Sequence, residues 1–412
     1  MKRLTLKELA VPMIKSIDSF NYLLKSHHRR VAIISYNLGK ELGLHDKSLS
    51  NLVVAASLHD IGALSIQERD MLIKEDVSNP TPHCEMGYKM LSSFEVFEDI
   101  SKIIKHHHVK YSDYVNQNDN DEIPFESCIL HLADRIDILI NTNGYILNQT
   151  NDIVDKIEKK VEKVFHPDVF KAFKKLSESQ IFWLDINNIS MGELLNKIDF
   201  SLDLDLDLDK IVEFSLTISR IIDFRSKFTA SHSYTVGHLA SFIGSLFDYD
   251  EEICKKLEIA GYLHDIGKIG INPELIEKNG KLTDEEYSIM KLHPYYTGQI
   301  LSELSSSDWF KDIVYWAKNH HEKNDGSGYP NALKDFELDK PAKILAYADV
   351  LTALLEDRPY RKGLEVDEAL NIISKDISSK LSTEMFDKIK PHKNEIKNIV
   401  KESQEYRKSL NF

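Results

Sequence analysis

The chain contains the pentapeptide LHDIG twice, at residues 58–62 and 263–267. The two copies are 205 residues apart, and SHHRRVA precedes the first copy at the same distance as SHSYTVG precedes the second. Two motifs that recur in the same order and at the same spacing predict that the two halves of the chain share one fold. The chain has 412 residues, which is long enough for two domains of ordinary size.

More histidines and aspartates recur in the same order downstream of both copies. HCEMGYKML resembles HPYYTGQIL, KHHHV resembles NHHEK, and HLADRIDIL resembles LAYADVLTAL. The spacing between the copies drifts slowly, as small loop insertions would make it. The three histidines of KHHHV leave its register open by one residue. The matched residues are His27, His59, Asp60, His83, His106, His107 and Asp134 in the first half, and His232, His264, Asp265, His293, His320, His321 and Asp349 in the second.

Imidazole and carboxylate groups recurring in this way are typical of a metal site. One carboxylate can bridge two divalent ions, and Asp265, next to His264, is the natural bridge. Water held between such ions becomes a nucleophile near neutral pH, and the ions neutralise a phosphate. Nitrogen and oxygen ligands without thiolate favour iron or manganese, while zinc, nickel and cobalt stay open. The alternative interpretation is an internal hydrogen-bond network.

The scarcity of proline and glycine, 11 and 16 residues, predicts an all-α fold. IVEFSLTISRIIDF and EICKKLEIAGYLHDI place apolar residues three and four apart, as an amphipathic helix does. SLDLDLDLDK, at 201–210, alternates strictly and predicts an extended strand. It lacks the glycine and glutamate of a calcium loop, so we interpret it as a linker that packs its leucines on one side. We therefore predict two tandem helical domains, 1–200 and 201–412.

Composition excludes several classes of partner. The formal net charge is −14, so polymeric nucleic acid is not an expected ligand. The sequence has neither a signal-peptide core nor a long apolar run, and we expect a cytoplasmic protein without a membrane partner. The three cysteines form no CxxC pair, so we expect neither a disulfide scaffold nor a thiolate zinc site. A homodimer remains open.

Residues 205–390 resemble the HD-GYP subgroup of the HD phosphohydrolase superfamily. They carry HDIGK, HHEKNDGSGYP and DRPYRKG in the order of that family. Residues 15–150 look like a divergent HD domain of the same kind. The resemblance implies a helical fold with two or three metal ions. It also implies hydrolysis of a cyclic dinucleotide, either cyclic di-GMP to pGpG and GMP or 3′,3′-cyclic GMP-AMP.

The resemblance also implies roles for individual residues of the second half. Phe228 stands where members with a third metal carry glutamate, so two ions are expected. Asn324 and Thr352 depart from the residues common in the family. One ion would be held by His232, His264, Asp265 and Asp349, and the other by Asp265, His293, His320 and His321. Asp265 and Lys268 would be catalytic, and substrate would be bound by Gly328, Tyr329, Pro330, Arg358 and Arg361.

The first half retains candidate ligands but lacks the rest of this set. Ala63 replaces Lys268, the GYP loop becomes VKYSDYVNQNDNDEIPF, and RPYR becomes NTNGYILN. Three interpretations stay open for it: a regulatory domain with or without metal, a phosphohydrolase for another substrate, or a scaffold. For the whole chain we predict a metal-dependent cyclic-dinucleotide phosphodiesterase. The alternatives are a phosphatase or nucleotidase for another small phosphate ester and a non-catalytic cyclic-dinucleotide receptor.

Overall fold

The computed structural model describes most of the chain and confirms the all-α prediction apart from one small sheet. By contact, the chain divides into a unit of Thr5–Leu204 and a unit of Met1–Leu4 with Asp205–Phe412. None of the described helices is long and apolar enough to cross a membrane. The described residues are 2–5, 14, 26–63, 81–116, 122–198, 203–223, 231–276, 278–306, 308–357, 361–376 and 381–409.

The first unit is built from helices whose apolar stripes face a common core. In the sequence EDISKIIK, for example, Ile100, Ile103 and Ile104 are buried, while Glu98 and Lys102 pair on the exposed side. Short 3₁₀ helices lie at Glu95–Phe97 and Ile146–Asn148. The α-helices are α1 His27–Glu41, α2 Asp46–Leu58, α3 Thr81–Leu91, α4 Glu98–Lys105, α5 Tyr111–Val115, α6 Phe125–Leu139, α7 Thr150–Glu158, α8 Pro167–Ser177, α9 Gln180–Asn188 and α10 Met191–Asn196.

The second unit contains eleven further α-helices among the described residues. Short 3₁₀ helices lie at Ile266–Gly270, Leu301–Ser306 and Asp335–Glu337. The α-helices are α11 Leu208–Asp223, α12 His232–Leu246, α13 Glu251–Leu263, α14 Pro273–Ile276, α15 Asp284–Met290, α16 His293–Ile300, α17 Asp308–Lys318, α18 Lys340–Leu355, α19 Val366–Asp376, α20 Thr383–Ile389 and α21 Lys393–Ser409.

The start of two of these helices is fixed by side-chain caps. The carboxylate of Asp250 accepts a hydrogen bond from the backbone N–H of Ile253, which starts α13. Asp339 accepts in the same way from Ala342 and starts α18. Each cap satisfies one of the N–H groups that a helix leaves without a partner at its first turn. The caps therefore set where these two helices begin; His264 follows α13, and Asp349 lies within α18.

The repeat seen in the sequence is also a repeat of helices. α1 and α12 have 15 residues each, and α2 and α13 have 13 each. α1 packs against α2 and α6, and α12 packs against α13 and α18 in the same arrangement. LHDIG begins at the last residue of α2 in the first unit, Leu58, and at the last residue of α13 in the second, Leu263.

The glycine of LHDIG is required by close backbone contact. A Cβ atom on Gly267 would lie 1.9 Å from the carbonyl oxygen of His293, at the start of α16. A Cβ atom on Gly62 would lie 2.1 Å from the carbonyl oxygen of His83. Only glycine lets the two backbones approach so closely. The motif thus brings the histidine of a later helix, His83 or His293, next to its own His-Asp pair.

The alternating segment forms a strand, as its pattern predicts. β2 spans Asp203–Leu206 and pairs with β1, Lys2–Thr5, in a two-stranded sheet. Leu206 is buried, and helix α11 begins at Leu208. The segment is therefore shorter as a strand than its alternation suggests, because the second half of the Leu-Asp pattern enters a helix.

Candidate metal centre

Three helices bring the predicted ligands of the first ion together. His232 is the first residue of α12, His264 follows α13, and Asp349 lies within α18. Nε2 of His232 lies 3.3 Å from Oδ1 of Asp349, and Nε2 of His264 lies 3.9 Å from the same oxygen. All three are buried. Their ligand atoms lie close enough to one another to hold a single ion.

Asp265 joins this group to a second one. Its Oδ2 lies 3.3 Å from Nε2 of His264, while its Oδ1 lies 3.4 Å from Nε2 of His293 and 3.9 Å from Nε2 of His320. Nε2 of His293 and Nε2 of His320 are 3.3 Å apart. The two oxygens of one carboxylate therefore face two separate sets of imidazoles, which is the arrangement that a bridging ligand requires.

His321 completes the second group from a more open position. Its side chain is 28% exposed, and its Nδ1 lies 3.8 Å from Oδ2 of Asp349. Its ligand atom is close to those of His293 and His320. The structure thus brings together all seven residues that the sequence predicted as ligands in the second half.

Hydrogen bonds to the backbone turn the imidazoles toward the centre. Nδ1 of His264 lies 2.6 Å from the carbonyl oxygen of Gly261, and His293 and His320 make the same contact three residues back in the chain. A carbonyl oxygen only accepts, so Nδ1 carries the proton in each ring. The lone pair of Nε2 is left facing the cluster, as in metal-binding histidines.

His232 is oriented by a residue that the sequence analysis missed. Its Nδ1 donates to Oε2 of Glu356 at 2.8 Å, and Oε1 of Glu356 accepts from the hydroxyl of Thr235 at 3.1 Å. Thr352, the departure noted in the sequence, is buried one turn earlier on α18. In the first unit Asp137 makes the equivalent contact to His27, at 2.6 Å. A search for a carboxylate near the end of α18 could have found Glu356.

Buried polar atoms support a metal ion at this centre. Nε2 of His264 and Oδ1 of Asp265 are buried and have no hydrogen-bond partner within the described part of the chain. Such atoms are rare in folded proteins unless an ion or a water satisfies them. Neutral imidazoles and carboxylates are the ligands of divalent ions. The donor set therefore fits divalent metal.

The pKa values of these side chains also suit metal binding. Burial lowers the pKa of His293 to about 3 and that of His320 to about 4, so both rings are neutral near pH 7. Burial alone would raise the pKa of Asp265, but His264 and Lys268 outweigh it and hold that pKa well below its usual range. The centre presents neutral nitrogen and anionic oxygen, as a metal ligand set must.

Lys268 lies beside the bridge position. It is part of the 3₁₀ helix Ile266–Gly270, and its Nζ pairs with Oδ2 of Asp265 at 2.5 Å. Its side chain is largely buried, at 16% exposure. Ala63 takes this position in the first unit and is fully buried. A cation therefore lies next to the predicted bridge in the second unit but not at the matching position of the first.

The GYP loop packs directly on His321. A Cβ atom on Gly328 would lie 2.4 Å from Cα of Glu322, so glycine is needed here. The backbone N–H of Tyr329 donates to the carbonyl oxygen of His321 at 3.2 Å, and the two rings lie 4.8 Å apart. A cis peptide bond links Tyr329 to Pro330. The loop thus forms one wall beside the second imidazole group.

Glu322 holds this loop in place and was also missed by the sequence analysis. It is buried, and its two carboxylate oxygens accept from the backbone N–H groups of Asn331, at 2.6 Å, and Leu333, at 2.9 Å. Two charge-assisted hydrogen bonds of this kind fix a loop strongly. The sequence offered one sign of this residue, because Glu322 directly follows the paired histidines His320 and His321.

Of the two predicted arginines, the structure describes Arg361, and its hydrogen bonds are made away from the cluster. The guanidinium of Arg361 donates to the backbone carbonyls of Ala353 and Leu354, at 2.7 and 2.9 Å, at the end of α18. Cations at that end of a helix are favoured by its dipole. Arg358 and Phe228 lie outside the described residues.

The first unit builds a similar centre from its own repeat. Nε2 of His59 lies 3.3 Å from Oδ2 of Asp60 and 3.8 Å from Oδ1 of Asp134. Nε2 of His27 lies 3.5 Å from the same oxygen of Asp134. All four side chains are buried. The predicted ligands of the first group therefore lie together in both units.

The second group of the first unit settles the register of KHHHV. Nδ1 of His107 lies 2.6 Å from the carbonyl oxygen of Ile104, as His320 contacts Ala317. The possible metal ligands here are His83, His107 and His108, together with Cys84. The structure places His107 and His108 in the cluster instead of His106 and His107. His106 follows α4 as its cap residue and is not among these ligands.

One cation distinguishes the first centre from the second. The guanidinium of Arg135 pairs with Oδ2 of Asp134, at 3.0 Å from Nε and 2.5 Å from the terminal nitrogen. Val350 stands at the matching position after Asp349. An arginine held against a ligand carboxylate supplies part of the positive charge that an ion would bring.

A chain whose described residues are almost all helical, with two histidine-rich centres that each contain an adjacent His-Asp pair, is typical of an HD-type protein. The family described as HD domain matches residues 13–169 and 217–385, and the chain belongs to this family. Both matched regions contain one copy of LHDIG. The predicted resemblance to the HD superfamily in both halves is therefore confirmed.

Several curated proteins resemble this chain. A 3′3′-cGAMP-specific phosphodiesterase 1 of Vibrio cholerae is 27% identical over 408 residues, covering 95% of this chain and 90% of that protein. A cyclic di-GMP phosphodiesterase of Thermotoga maritima is 36% identical over 173 residues, covering 42% of this chain and 46% of that protein.

A solved structure supports the fold. The crystal structure of a cyclic GMP-AMP specific phosphodiesterase of V. cholerae matches with a TM-score of 0.62 and 21% identity. The match covers 95% of this chain and 98% of that one. The likeness of fold therefore covers both HD regions.

Proposed function

We propose that this chain is a metal-dependent phosphodiesterase that hydrolyses a cyclic dinucleotide in its C-terminal domain, 201–412. The observation that carries the proposal is the position of Asp265. Its two oxygens face two groups of imidazoles, and Lys268 lies beside it. The named activities of the relatives support the same reaction.

The side chains would divide the work as follows. One divalent ion would be held by His232, His264, Asp265 and Asp349, and a second by Asp265, His293, His320 and His321. When bound, the ions supply an activated water nucleophile and positive charge against the phosphate. Iron or manganese is proposed because the ligands are nitrogen and oxygen without thiolate.

Lys268 would bind an oxygen of the scissile phosphate. A compact ammonium on a flexible stem suits this task, and it acts most strongly where water is excluded. In the described structure its partner is Asp265, so binding substrate means exchanging one anion for another. Asp265 and Lys268 are therefore the residues proposed to be catalytic.

The GYP loop would form the wall against which the dinucleotide lies. Gly328, Tyr329 and Pro330 pass over His321, and Glu322 anchors the loop from behind. Arg361 fits this set less well, since its described hydrogen bonds hold the end of α18. We keep Arg358 as a proposed substrate contact on the strength of the sequence alone.

3′,3′-cyclic GMP-AMP is the substrate we favour. The relative that matches this chain across both halves is specific for it by name, whereas the cyclic di-GMP phosphodiesterase of T. maritima matches less than half. The N-terminal domain, 1–200, is proposed to be regulatory, since it lacks the lysine and the loop. A cytoplasmic location is part of the same proposal.

The deciding experiment incubates purified full-length protein, loaded with Fe²⁺ or Mn²⁺, with each cyclic dinucleotide. We expect linear product from 3′,3′-cyclic GMP-AMP and slower turnover of cyclic di-GMP. Asp265→Asn should abolish both. Hydrolysis of cyclic di-GMP alone would overturn the choice of substrate but not the reaction. Binding of both without product would identify a receptor instead, and turnover only of simple phosphate monoesters would identify a phosphatase.

A further inference from the structure

Cys84 lies against the histidines of the first unit, although its spacing in the sequence gave no sign of a metal site. Its Sγ lies 3.6 Å from Nε2 of His83 and 3.6 Å from Nδ1 of His107. Nε2 of His83 and Nε2 of His107 are 3.2 Å apart. With His108, these residues offer four ligand atoms that all lie within 4.8 Å of one another.

Two of these separations match those of a tetrahedral zinc site. Zinc binds sulfur at about 2.3 Å and imidazole nitrogen at about 2.0–2.1 Å, so a tetrahedron places S and N about 3.6 Å apart and two nitrogens about 3.3 Å apart. The Cys84–His83 and His83–His107 distances are 3.6 and 3.2 Å. Cys84, His83 and His107 are buried, and His108 is half-buried. The side chains are therefore nearly in place before any ion arrives.

The second unit has no counterpart to this thiol. Cys84 directly follows His83, and Pro294 directly follows the matching His293. Proline has no ligand atom, so the second centre depends on nitrogen and oxygen alone. Cys254, the cysteine of the second unit, has its thiol directed at the backbone carbonyl of Tyr249. The two centres therefore differ in the softness of their ligands, which is the property that selects among metals.

We propose that the first unit binds one zinc ion through His83, Cys84, His107 and His108. Four protein ligands close the coordination of zinc and leave no position for water or substrate, as in structural sites. Binding displaces the thiol proton to solvent, so the sulfur coordinates as thiolate. Asp60 is the competing ligand, since its Oδ1 lies 3.7 Å from Nε2 of His83 and 4.0 Å from Nε2 of His107.

This site explains why the first unit keeps its histidines without the lysine and the loop. A closed site needs ligands and no substrate contacts. Arg135 meanwhile pairs with Asp134, so one carboxylate of the other ligand group is already compensated by a side chain. The first unit is then a domain stabilised by one zinc ion whose coordination is closed, in place of an open centre with two ions.

Cobalt(II) provides a test that reports only on the first unit. Thiolate bound to Co²⁺ gives a strong charge-transfer band in the near ultraviolet, whereas histidine and carboxylate ligands do not. We expect this band in the full-length protein loaded with Co²⁺. We also expect it in Cys128→Ala/Cys254→Ala, where Cys84 is the one cysteine left of three. Cys84→Ser should lose the band and bind one equivalent less metal by elemental analysis.

Each other outcome overturns the proposal. A wild-type protein that binds Co²⁺ without the band has no thiolate ligand. A band that disappears in Cys128→Ala/Cys254→Ala belongs to another cysteine. Metal in the first unit that survives Cys84→Ser but is lost in Asp60→Asn identifies a centre without sulfur. The double variant decides the question even where Cys84→Ser does not fold.

Discussion

Glu356 accepts a hydrogen bond from Nδ1 of His232 at 2.8 Å, and Asp137 accepts one from Nδ1 of His27 at 2.6 Å. The two carboxylates do not occupy matching positions. Asp137 stands three residues after Asp134, whereas Glu356 stands seven residues after Asp349, two turns along α18. In the second unit the longer side chain of Glu356 orients the histidine from a later position. In the first unit the shorter side chain of Asp137 does the same from a position closer to Asp134.

Glu356→Ala should therefore weaken metal binding at the second centre. Removing a carboxylate that orients a ligand histidine costs about 10- to 100-fold in metal affinity or activity. The loss is measured by titrating metal-free protein with Mn²⁺ and assaying hydrolysis at each concentration. Activity should recover at high Mn²⁺, because the ligands themselves remain. Glu384→Ala, which removes an exposed carboxylate paired with Lys340, is the control.

Lys268→Ala should leave metal binding intact and lower turnover. Loss of one preorganised charge at a developing oxyanion costs about 10²–10³ in kcat. Elemental analysis should find the same metal content as in the wild type, which separates this effect from that of Glu356→Ala. Lys281→Ala removes an exposed lysine of the same unit and serves as the matched control. Unchanged kcat in Lys268→Ala would remove the lysine from the mechanism.

Gly267→Ala should damage both stability and activity. The new methyl group would lie 1.9 Å from the carbonyl oxygen of His293, so the two backbones must separate. Overpacking of this kind costs about 1–3 kcal/mol, occasionally more. Thermal unfolding and hydrolysis are the two measurements. Gly192→Ala adds the same methyl group in α10, where the nearest heavy atom is 4.0 Å away, and should leave both unchanged.

The order of residues in the sequence was enough to predict the ligands of the second centre. It was not enough to predict contacts that depend on the three-dimensional positions of side chains. The predicted ligands of the second centre followed from the repeat, because histidine and aspartate recur in the same order in both halves. The register of KHHHV did not follow, because a run of identical residues carries no register. Only the backbone contact of His107 to Ile104 assigns it. Cys84 was missed because the spacing of the cysteines gave no metal motif, and its contact with His107 joins α3 to the segment that follows α4.

The substrate contacts show the same limit. Lys268 and the GYP loop were predicted from local motifs, and the structure puts both beside the ligands. Arg361 was predicted in the same way, but its hydrogen bonds are made to the end of α18. A sequence motif shows that an arginine is present, but it does not show which group the arginine binds. The long side chain of Arg361 binds the backbone carbonyls that lie within its reach.

The thiol of Cys128 should be unreactive in the folded protein. Burial raises its pKa to about 12, from an ordinary thiol value near 9. Between these values the unfolded chain loses a proton that the folded chain keeps, so the free energy of unfolding falls as pH rises from 9 toward 12. Urea denaturation at several alkaline pH values should show this fall, and Cys128→Ala should lessen it. Alkylation at pH 8 should label Cys254 before Cys128.

Asp265→Asn and Asp60→Asn should separate the two units. The first substitution weakens the carboxylate bridge between the two imidazole groups of the second centre, and hydrolysis should be lost. The second makes the same change in the first unit, where Ala63 replaces the lysine, so the chemical step should survive. Product formation under saturating substrate and metal content are measured for both. Loss of turnover in Asp60→Asn with Asp265→Asn still active would reverse the assignment of catalysis. Equal loss in both, with the fold intact by circular dichroism, would show that the two centres work as one.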